Sequence, residues 1–374
     1  MKELSQQDCA DLCFGAAVLG TGGGGSRELG LAILERALAQ GKALHLVAAD
    51  EVTDDALVVT PAFVGSIAPG DTELRVSRAL DECLLAPDGP LLAGLRLLEG
   101  HLGRRVTAVL AVEMGGLNTP LAGVLAAGAG VPLVDGDTVG RAKPELEIGS
   151  YSLQGIGLAP MALCDPWGNR MLVQQTTDNR SAERIARALA VLGGCTLTVR
   201  CPMSGGEMRR MVVGGTVSKA LAIGQASRQA LAGGNDPVEA VIRASDGVRL
   251  FAGVVSRLVL EDREGFLWAE YWLAGSGRHQ GHELRVWAKN ENEISWLDEQ
   301  PFVTTPDLLC AVETDTGQPV VNTHLREGLP MTVFGVPCHP MWRTPEGLAL
   351  AGPAHFGFSI SYRPLKELVS PQPH

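Results

Sequence analysis

The first 165 residues alternate short apolar runs with longer stretches in which apolar residues recur at helical spacing. Ser5 precedes the first helical stretch and is suited to cap it. The pattern predicts helices over 6–20, 27–40, 73–85, 90–101 and 119–129, and strands over 43–48, 56–62, 106–112 and 131–134. Strands that alternate with helices are typical of a parallel sheet covered by helices on both faces.

The pattern changes after residue 165, where short strand-like runs follow one another closely. These runs lie at 170–175, 195–200, 248–260, 266–273, 283–289, 319–323 and 330–336, with helical stretches at 181–193 and 216–232. We therefore predict an α/β class of fold with two domains. An N-terminal parallel-sheet domain covers 1–165, a C-terminal β-rich (α+β) domain covers 166–365, and 366–374 form a disordered tail.

Composition narrows the class of protein. The 374 residues include 31 Lys and Arg against 42 Asp and Glu, so the net charge is −11, which argues against nucleic acid or an anionic membrane as the partner. No uninterrupted apolar run is long enough to span a membrane, and the N-terminus is too polar for a signal peptide. Eight irregularly spaced cysteines do not indicate a disulfide framework. We expect a cytoplasmic protein that binds a small molecule and is able to form a homo-oligomer.

A run of glycines between the first two predicted helices is the first candidate binding element. Thr21, Gly22, Gly23, Gly24 and Gly25 belong to the sequence GTGGGGS. Backbone N–H groups ahead of a helix N-terminus attract an anion such as a phosphate or a carboxylate. The run lacks the preceding strand of a dinucleotide fingerprint and the Lys of a P-loop. The alternative is a flexible turn between two helices.

Polar residues follow two neighbouring strands of the predicted parallel sheet. Glu113 and Asn118 come directly after the strand 106–112 and are separated by two glycines. Ligands of open α/β sheets bind beyond the carboxyl ends of the strands, so we expect these side chains in a binding cleft. The alternative is an exposed Glu113 and an Asn118 that only caps a helix.

The sequence DGDTVGRAKPEL follows the strand 131–134 and carries Asp135, Asp137, Arg141 and Glu145. Two carboxylates this close repel each other unless a cation, an arginine or a shared proton relieves them. We therefore take these four residues as candidate catalytic groups and the two aspartates as candidate metal ligands. The alternative is a solvated acidic loop that pairs with Arg141.

Histidine and cysteine provide weaker candidates. Cys338 and His339 are adjacent, and both residue types are good zinc ligands. Asn290, in the sequence KNEN at a strand end, could bind a polar heterocycle or simply form a hairpin turn. Further histidines at 279, 282, 324 and 355 are more commonly incidental. The sequence contains no HExxH, no paired CxxC and no GxSxG.

These segments in order resemble the S-methyl thiohydantoin desulfurase family, which is itself similar to hydantoinase and oxoprolinase components. The matching segments are GTGGGGS, the ExGGxN at 113–118, DGDxxGRAxPEL at 135–146, KNEN at 289–292, TTPDLL at 304–309 and GPAHFGF at 352–358. The resemblance implies two domains and hydrolytic removal of sulfur from a thiohydantoin ring during breakdown of ergothioneine-type thioimidazoles. It also implies a divalent metal, with zinc as the expected ion.

The expected mechanism uses a metal-bound hydroxide that attacks the electrophilic C2 of the ring. Glu113, Asp135 or Asp137 would be ligand or general base, with His339 and then Cys338 as further ligands. Arg141 or the glycine amides would hold a substrate carboxylate, while Asn118 and Asn290 would bind the ring amides. Cys338 as a covalent nucleophile is a variant. Two alternatives stay open: a ring-opening hydantoinase-type amidohydrolase or its subunit, and a non-catalytic small-molecule binding subunit.

Overall fold

A computed structural model describes residues 1–65 and 89–369. Its first sheet has eight strands, and two further strands form a ribbon. In chain order these ten strands are β1 (Lys2–Glu3), β2 (His45–Val47), β3 (Leu57–Gly65), β4 (Ala108–Val109), β5 (Leu133–Val134), β6 (Gly136–Asp137), β7 (Met161–Cys164), β8 (Arg170–Val173), β9 (Cys195–Ser204) and β10 (Val213–Gly214). The ribbon consists of β6 and β10, and the order in the sheet is β1-β2-β5-β4-β3-β9-β7-β8. Strands β2, β5, β4 and β3 are parallel, and the outer pairs are antiparallel.

The second sheet is antiparallel throughout, with seven strands in the order β15-β14-β13-β12-β11-β17-β16. The strands are β11 (Val248–Arg263), β12 (Phe266–Gly275), β13 (Glu283–Lys289), β14 (Glu291–Leu297), β15 (Gln300–Thr304), β16 (Leu308–Glu313) and β17 (Pro330–Val336). Asn290 forms the tight turn between β13 and β14 with a φ of 59°. Asparagine tolerates this left-handed conformation better than most residues do.

The α-helices of the described residues lie mainly against the first sheet. They are α1 (Gln6–Leu19), α2 (Arg27–Ala39), α3 (Pro90–Leu102), α4 (Asn118–Ala129), α5 (Ser150–Leu153), α6 (Asn179–Gly193), α7 (Gly205–Met211), α8 (Thr216–Ala232), α9 (Pro237–Ala244), α10 (Pro345–Ala351) and α11 (Leu365–Val369). Ser5 caps α1 through reciprocal bonds with Asp8, as expected of a capping box. Glycines at positions 15 and 224 let α1 and α8 cross with their backbones in contact.

Three groups of buried apolar side chains hold these layers together. Two of them cover opposite faces of the first sheet, one with α1 and α4 and the other with α6. The third lies in the second sheet and includes Phe251 and Tyr271. Together they bury the Ala-, Val- and Leu-rich faces that the sequence pattern presents, which supplies most of the driving force for folding.

The predicted class of fold is confirmed, because a sheet with parallel strands precedes an antiparallel, β-rich region. The strand predicted at 195–200 exists as β9, but it pairs with β3 and β7 of the first sheet. No strand forms at 319–323, where a single bridge at Pro319 is followed by a 3-10 turn. The helix predicted at 73–85 lies outside the described residues. The domain boundary at 165 stays a prediction, and 365–369 of the C-terminal segment is helical.

Candidate active site

A cleft lies where the carboxyl ends of the parallel strands meet the hairpin turn between β13 and β14. It encloses a cavity of about 40 Å³. Its walls combine glycines, four charged residues and two amides with apolar side chains. The lining residues are Gly24, Gly25, Ala62, Phe63, Val64, Gly65, Val112, Glu113, Asn118, Lys143, Pro144, Leu146, Arg187, Asn290 and Glu291. Residues from both sheets therefore share one cavity.

Glu113 forms one wall of the cleft, just beyond β4. Its Oε1 accepts a hydrogen bond from Asn118 Nδ2 at 2.5 Å, and its Oε2 accepts one from the backbone N–H of Lys143 at 3.1 Å. The side chain is 3% exposed. Burial raises the pKa of Glu113, although Lys143, Asn118 and Arg200 oppose this effect. Glu113 is thus a buried carboxyl whose ionised form still receives two hydrogen bonds.

Glu291 faces the same cavity from the first residue of β14. Its Oε1 accepts a hydrogen bond from the backbone N–H of Gly24 at 3.1 Å. Its Oε2 is buried and has no hydrogen-bond partner among the described residues. Burial, followed by the charges of Glu113 and Glu293, raises the pKa of Glu291 well above its usual value. Of the two carboxyls, Glu291 is therefore the one whose surroundings more strongly favour the protonated form.

The glycine run lies between these two walls. A Cβ at Gly23 would overlap Glu291 Oε1, and one at Gly24 would approach the Cα of Gly115 to 2.5 Å. The backbone N–H of Asn292 also donates to the carbonyl oxygen of Thr21 at 2.8 Å. One backbone N–H of the glycine run therefore binds a carboxyl group of the protein itself, and binding of a ligand anion by the run stays a prediction.

Arg141 ties the two halves of the chain together beside the cleft. Its side chain is 5% exposed and lies 3.0 Å from Glu293 Oε1. The six acceptors of its guanidinium are the carbonyl oxygens of Ala142, Asn292 and Asp307, the hydroxyls of Thr21 and Thr305, and Glu293 Oε1. Arg141 is absent from the cavity lining. These contacts use its donors to join the two sheets.

The two amides have different amounts of free hydrogen-bonding capacity. Asn118 accepts from the N–H of Phe63 at 2.8 Å and donates to Glu113, so both ends of its amide are used. Asn290 accepts from the N–H of Leu267 at 2.8 Å. No partner for its amide nitrogen is found in the part of the chain that the structure describes. Asn118 thus orients Glu113, whereas Asn290 offers a donor to the cleft.

Asp135 and Asp137 lie outside the cavity lining. Asp135 accepts the backbone N–H of Ser218 at 2.9 Å and its hydroxyl at 2.6 Å, which satisfies the first turn of α8. Asp137 is fully buried and accepts the N–H groups of Val139 and Gly140 at 2.9 and 2.8 Å. Burial raises the pKa of Asp137 to about 7, and Glu113 adds to this shift. Asp135 thus binds the start of α8 and Asp137 binds a local turn through Oδ2, while Asp137 Oδ1 is buried without a partner among the described residues.

Glu145 belongs to a second polar cluster beside the cleft. Its Oε2 lies 2.9 Å from His355 Nε2, and its Oε1 contacts the Lys289 ammonium. Although burial opposes the shift, His355 and Lys289 lower the pKa of Glu145 to about 2. Glu147 joins this group, and burial and Glu145 raise its pKa. Among the described residues, Glu145, Glu147 and His355 alone bring three potential ligand atoms within 4.8 Å of one another.

Comparison with known proteins identifies the family of this chain. The family model described as "S-Me-THD-like, N-terminal domain" matches residues 7–175, and that described as "S-Me-THD-like, C-terminal domain" matches 177–365. The chain belongs to the S-Me-THD-like family. The resemblance seen in the sequence is thereby confirmed, and membership supports a thiohydantoin-related function.

A crystal structure of a Chromobacterium violaceum protein is similar to this member of the S-Me-THD-like family. The two chains are 24% identical, the match covers 98% of this chain and 100% of the other, and the TM-score is 0.75. At this identity the likeness shows a shared fold. No curated protein matches the chain.

The side chains of Cys338 and His339 lie in different environments in this S-Me-THD-like chain. Cys338 is buried, its backbone N–H binds Asp307 Oδ1 at 2.8 Å, and burial raises the pKa of its thiol to about 12. His339 is exposed and caps a 3-10 turn. The structure does not gather either residue with the two aspartates into one set of ligand atoms. A thiol with so high a pKa is a poor nucleophile at neutral pH.

Sequence reasoning gave no role to Lys143 or Glu147 of this S-Me-THD-like site, and it treated Glu291 and His355 only as weak candidates. Glu291 stood inside the KNEN segment, but the hairpin that aims it at Glu113 joins residues 178 positions apart in the chain, as their numbers show. An acidic residue beside a turn-forming Asn290 was the available signal.

No helix of the described residues has the length and apolarity needed to cross a membrane.

Proposed function

We propose that this S-Me-THD-like protein is a hydrolase that removes sulfur from C2 of a thiohydantoin ring and leaves a hydantoin. The pair of buried carboxyls, Glu113 and Glu291, carries this proposal. They face one cavity from two different sheets, and one oxygen of Glu291 has no partner in the described chain. Paired carboxyls whose surroundings push their pKa values apart are suited to general acid–base catalysis.

The surroundings favour different protonation states for the two carboxyls. Glu113 receives two hydrogen bonds and lies near the Lys143 and Arg200 charges, which favour its ionised form. Glu291 receives one hydrogen bond and lies near the acidic Glu113 and Glu293. Two interacting carboxyls share one proton over a wide pH range. At neutral pH Glu113 is the proposed base and Glu291 the proposed acid.

The proposed reaction returns both carboxyls to their starting states. Glu113 takes a proton from the water whose oxygen bonds to C2. Glu291 gives its proton to the ring nitrogen of an S-methyl substrate, or to sulfur in the unmethylated ring. The C2–S bond then breaks, and sulfur leaves with its electron pair and the proton from Glu113 as methanethiol or hydrogen sulfide. The hydroxyl proton at C2 returns to Glu291 as the new carbonyl forms.

The cleft contributes binding groups as well as the acid and base. The amide nitrogen of Asn290 is available to donate to a ring carbonyl oxygen. The cavity of about 40 Å³ holds roughly two to four waters, whereas sites for small ligands are typically about 300–1,000 Å³. The cavity must therefore widen for a ring to enter.

We also propose a divalent metal, with zinc as the first candidate, bound by Glu145, Glu147 and His355. The donor set fits, since zinc takes nitrogen and oxygen ligands and the three atoms lie within 4.8 Å of one another. A cation would also relieve the repulsion between Glu145 and Glu147 that raises the pKa of Glu147. When bound, such an ion supplies Lewis acidity and affinity for sulfur.

The proposed setting of the reaction is the cytoplasmic breakdown of ergothioneine-type thioimidazoles.

Product analysis tests the proposal. The purified protein is incubated with a thiohydantoin and with its S-methyl form, and sulfide, methanethiol and ring-opened carbamoyl products are measured. We expect sulfur release with the ring intact. Glu113→Gln and Glu291→Gln should each lower turnover by about 10²- to 10⁴-fold, while Glu35→Gln, on the outer side of α2, should not change it.

Other outcomes would replace the proposal. Carbamoyl product without sulfur release would indicate a ring-opening hydantoinase-type enzyme, and tight binding without turnover would indicate a binding subunit. Sulfur release unaffected by both Gln substitutions would remove the carboxyl pair from the mechanism. Elemental analysis tests the metal separately: we expect about one ion per chain, lost in His355→Ala and retained in His339→Ala.

A further inference from the structure

Arg200 is an unusual charge in the middle of the first sheet. It lies on β9, opposite Thr60 of the central strand β3, and is 0% exposed. In the described chain, its Nε and Nη2 have no hydrogen-bond partner and no carboxylate lies within ion-pair distance. Its Nη1 is 3.5 Å from the Tyr151 hydroxyl, and its guanidinium lies 5.6 Å from that ring centre. A buried charge without a direct counter-ion is costly, so its place requires an explanation.

Lys143 is a second buried cation in the same place. Its ammonium donates to the carbonyl oxygen of Leu146 at 3.3 Å and contacts the Tyr151 hydroxyl, so that it shares Tyr151 with Arg200. Its backbone N–H, in turn, binds Glu113. Among the described residues, neither cation has a carboxylate within ion-pair distance, and Glu113 is a carboxyl whose ionisation both of them favour.

The other side of the cleft has the opposite balance of charge. Arg141 is the cation that favours ionised Glu291, but Arg141 already pairs with Glu293 at 3.0 Å. Glu113 and Glu293 both disfavour a negative charge on Glu291. Asp137 is another acid near Glu113, and the charge of Glu113 adds to the rise in the pKa of Asp137. Positive charge therefore lies uncompensated behind Glu113, while the positive charge near Glu291 is neutralised.

We propose that Lys143, Tyr151 and Arg200 form a positioning cluster that keeps the Glu113 carboxyl ionised and thereby makes it the base of the cleft. Arg200 acts through Glu113 and touches neither substrate nor reacting atoms. Tyr151 holds the two cations at a fixed place by accepting from both. This inference rests on the proposed function for its catalytic meaning, but the charge state of Glu113 is measurable without turnover.

The experiment compares Arg200→Met, which removes the charge at similar volume, with Arg200→Lys, which keeps it. Protein labelled with carboxyl-¹³C glutamate is titrated by NMR, and the Glu113 signal is assigned by its loss in Glu113→Gln. We expect the methionine variant to raise the pKa of Glu113 by at least about one pH unit and the lysine variant to restore most of the original value. The acid limb of the kcat–pH profile should move to higher pH by the same amount.

The controls separate this inference from the proposed function. If Arg200→Met does not fold, Lys143→Met removes the neighbouring charge and keeps the backbone N–H that binds Glu113; the same rise is expected. An unchanged Glu113 titration in a folded variant would overturn the inference. A wild-type protein that titrates as expected but releases no sulfur would overturn the proposed function and leave the cluster intact.

Discussion

Two pairs of acidic residues lie near the ends of the parallel strands, and the structure uses them differently. Asp135 and Asp137 are close in sequence, and backbone N–H groups of a helix and a turn bind Asp135 Oδ1 and Asp137 Oδ2. Asp137 Oδ1 is buried without a partner among the described residues, but Asp137 is not part of the cavity lining. Glu113 and Glu291 are far apart in sequence, and they meet across a cavity where one oxygen of Glu291 has no partner. A carboxyl that binds backbone away from the cavity stabilises the fold, whereas one that keeps an oxygen free beside the cavity is available for chemistry.

The contrast depends on what each carboxylate gains from its hydrogen bonds. A carboxylate that accepts backbone N–H groups offsets part of its desolvation and fixes a helix end or a turn. Glu291 lacks a partner for one oxygen beside the cavity, and the charges of Glu113 and Glu293 disfavour its ionised form. Strained electrostatics of this kind are concentrated at functional sites.

The largest expected effect comes from Gly23→Ala, which tests whether the glycine run exists to admit Glu291. Gly23 does not have a positive φ, so its backbone suits alanine. The added Cβ would overlap Glu291 Oε1, and its nearest contacts all belong to the Glu291 side chain. We expect Glu291 to be displaced, turnover to fall by about 10²-fold, and the free energy of unfolding to fall by about 1–3 kcal/mol. Kinetics and chemical denaturation measure the two effects.

Gly100→Ala is the matched control for that substitution. Gly100 lies in α3, is exposed, and a Cβ there meets nothing within 4 Å. Alanine should stabilise the helix by about 0.5–1 kcal/mol and leave turnover unchanged. If Gly23→Ala behaved like this control, the glycine run would be a simple turn, and the contact between Gly24 and Glu291 would have no functional weight.

A medium effect is expected for Asp137→Asn, which tests whether this carboxyl is structural. The folded protein holds its proton up to about pH 7, whereas an unfolded aspartate loses it near pH 4. The folded state therefore loses stability as the pH rises from about 4 to 7, by up to roughly 4 kcal/mol above that range. Asparagine keeps an acceptor for Val139 and Gly140 but does not titrate.

The measurement is thermal and urea unfolding of both proteins from pH 4.5 to 8. We expect the Asp137→Asn variant to be more stable than the wild type at pH 8 and to lose this advantage near pH 4.5. Its turnover should stay within about tenfold of the wild type, since Asp137 is outside the cavity lining. Complete loss of turnover in a stable variant would instead return Asp137 to the catalytic residues.

The parallel sheet and the site near its carboxyl edge could be predicted because both follow from local patterns. Glu113, Asn118 and the glycine run are close to strand and helix ends that the apolar spacing reveals. Glu291 could not be placed, because its position depends on a hairpin of the second sheet docking against Gly24. Strands β14, β15 and β16 were also missed. In β14 the buried polar residues, such as Asn292 and Glu293, do not follow an alternating pattern, and β16 is a short apolar run without alternation.

The smallest effect is expected for Asp135→Ala, which tests the structural side of the comparison. Asp135 is partly exposed and satisfies Ser218 in the first turn of α8. Its loss should cost about 0.5–2 kcal/mol of unfolding free energy, with kcat and KM unchanged. Ser218→Ala removes only the hydroxyl contact, so it should cost less, and the double variant should cost less than the sum because the two share one interaction. A turnover loss of tenfold or more in Asp135→Ala, without a matching loss in Ser218→Ala, would break the comparison by giving Asp135 a role in the site.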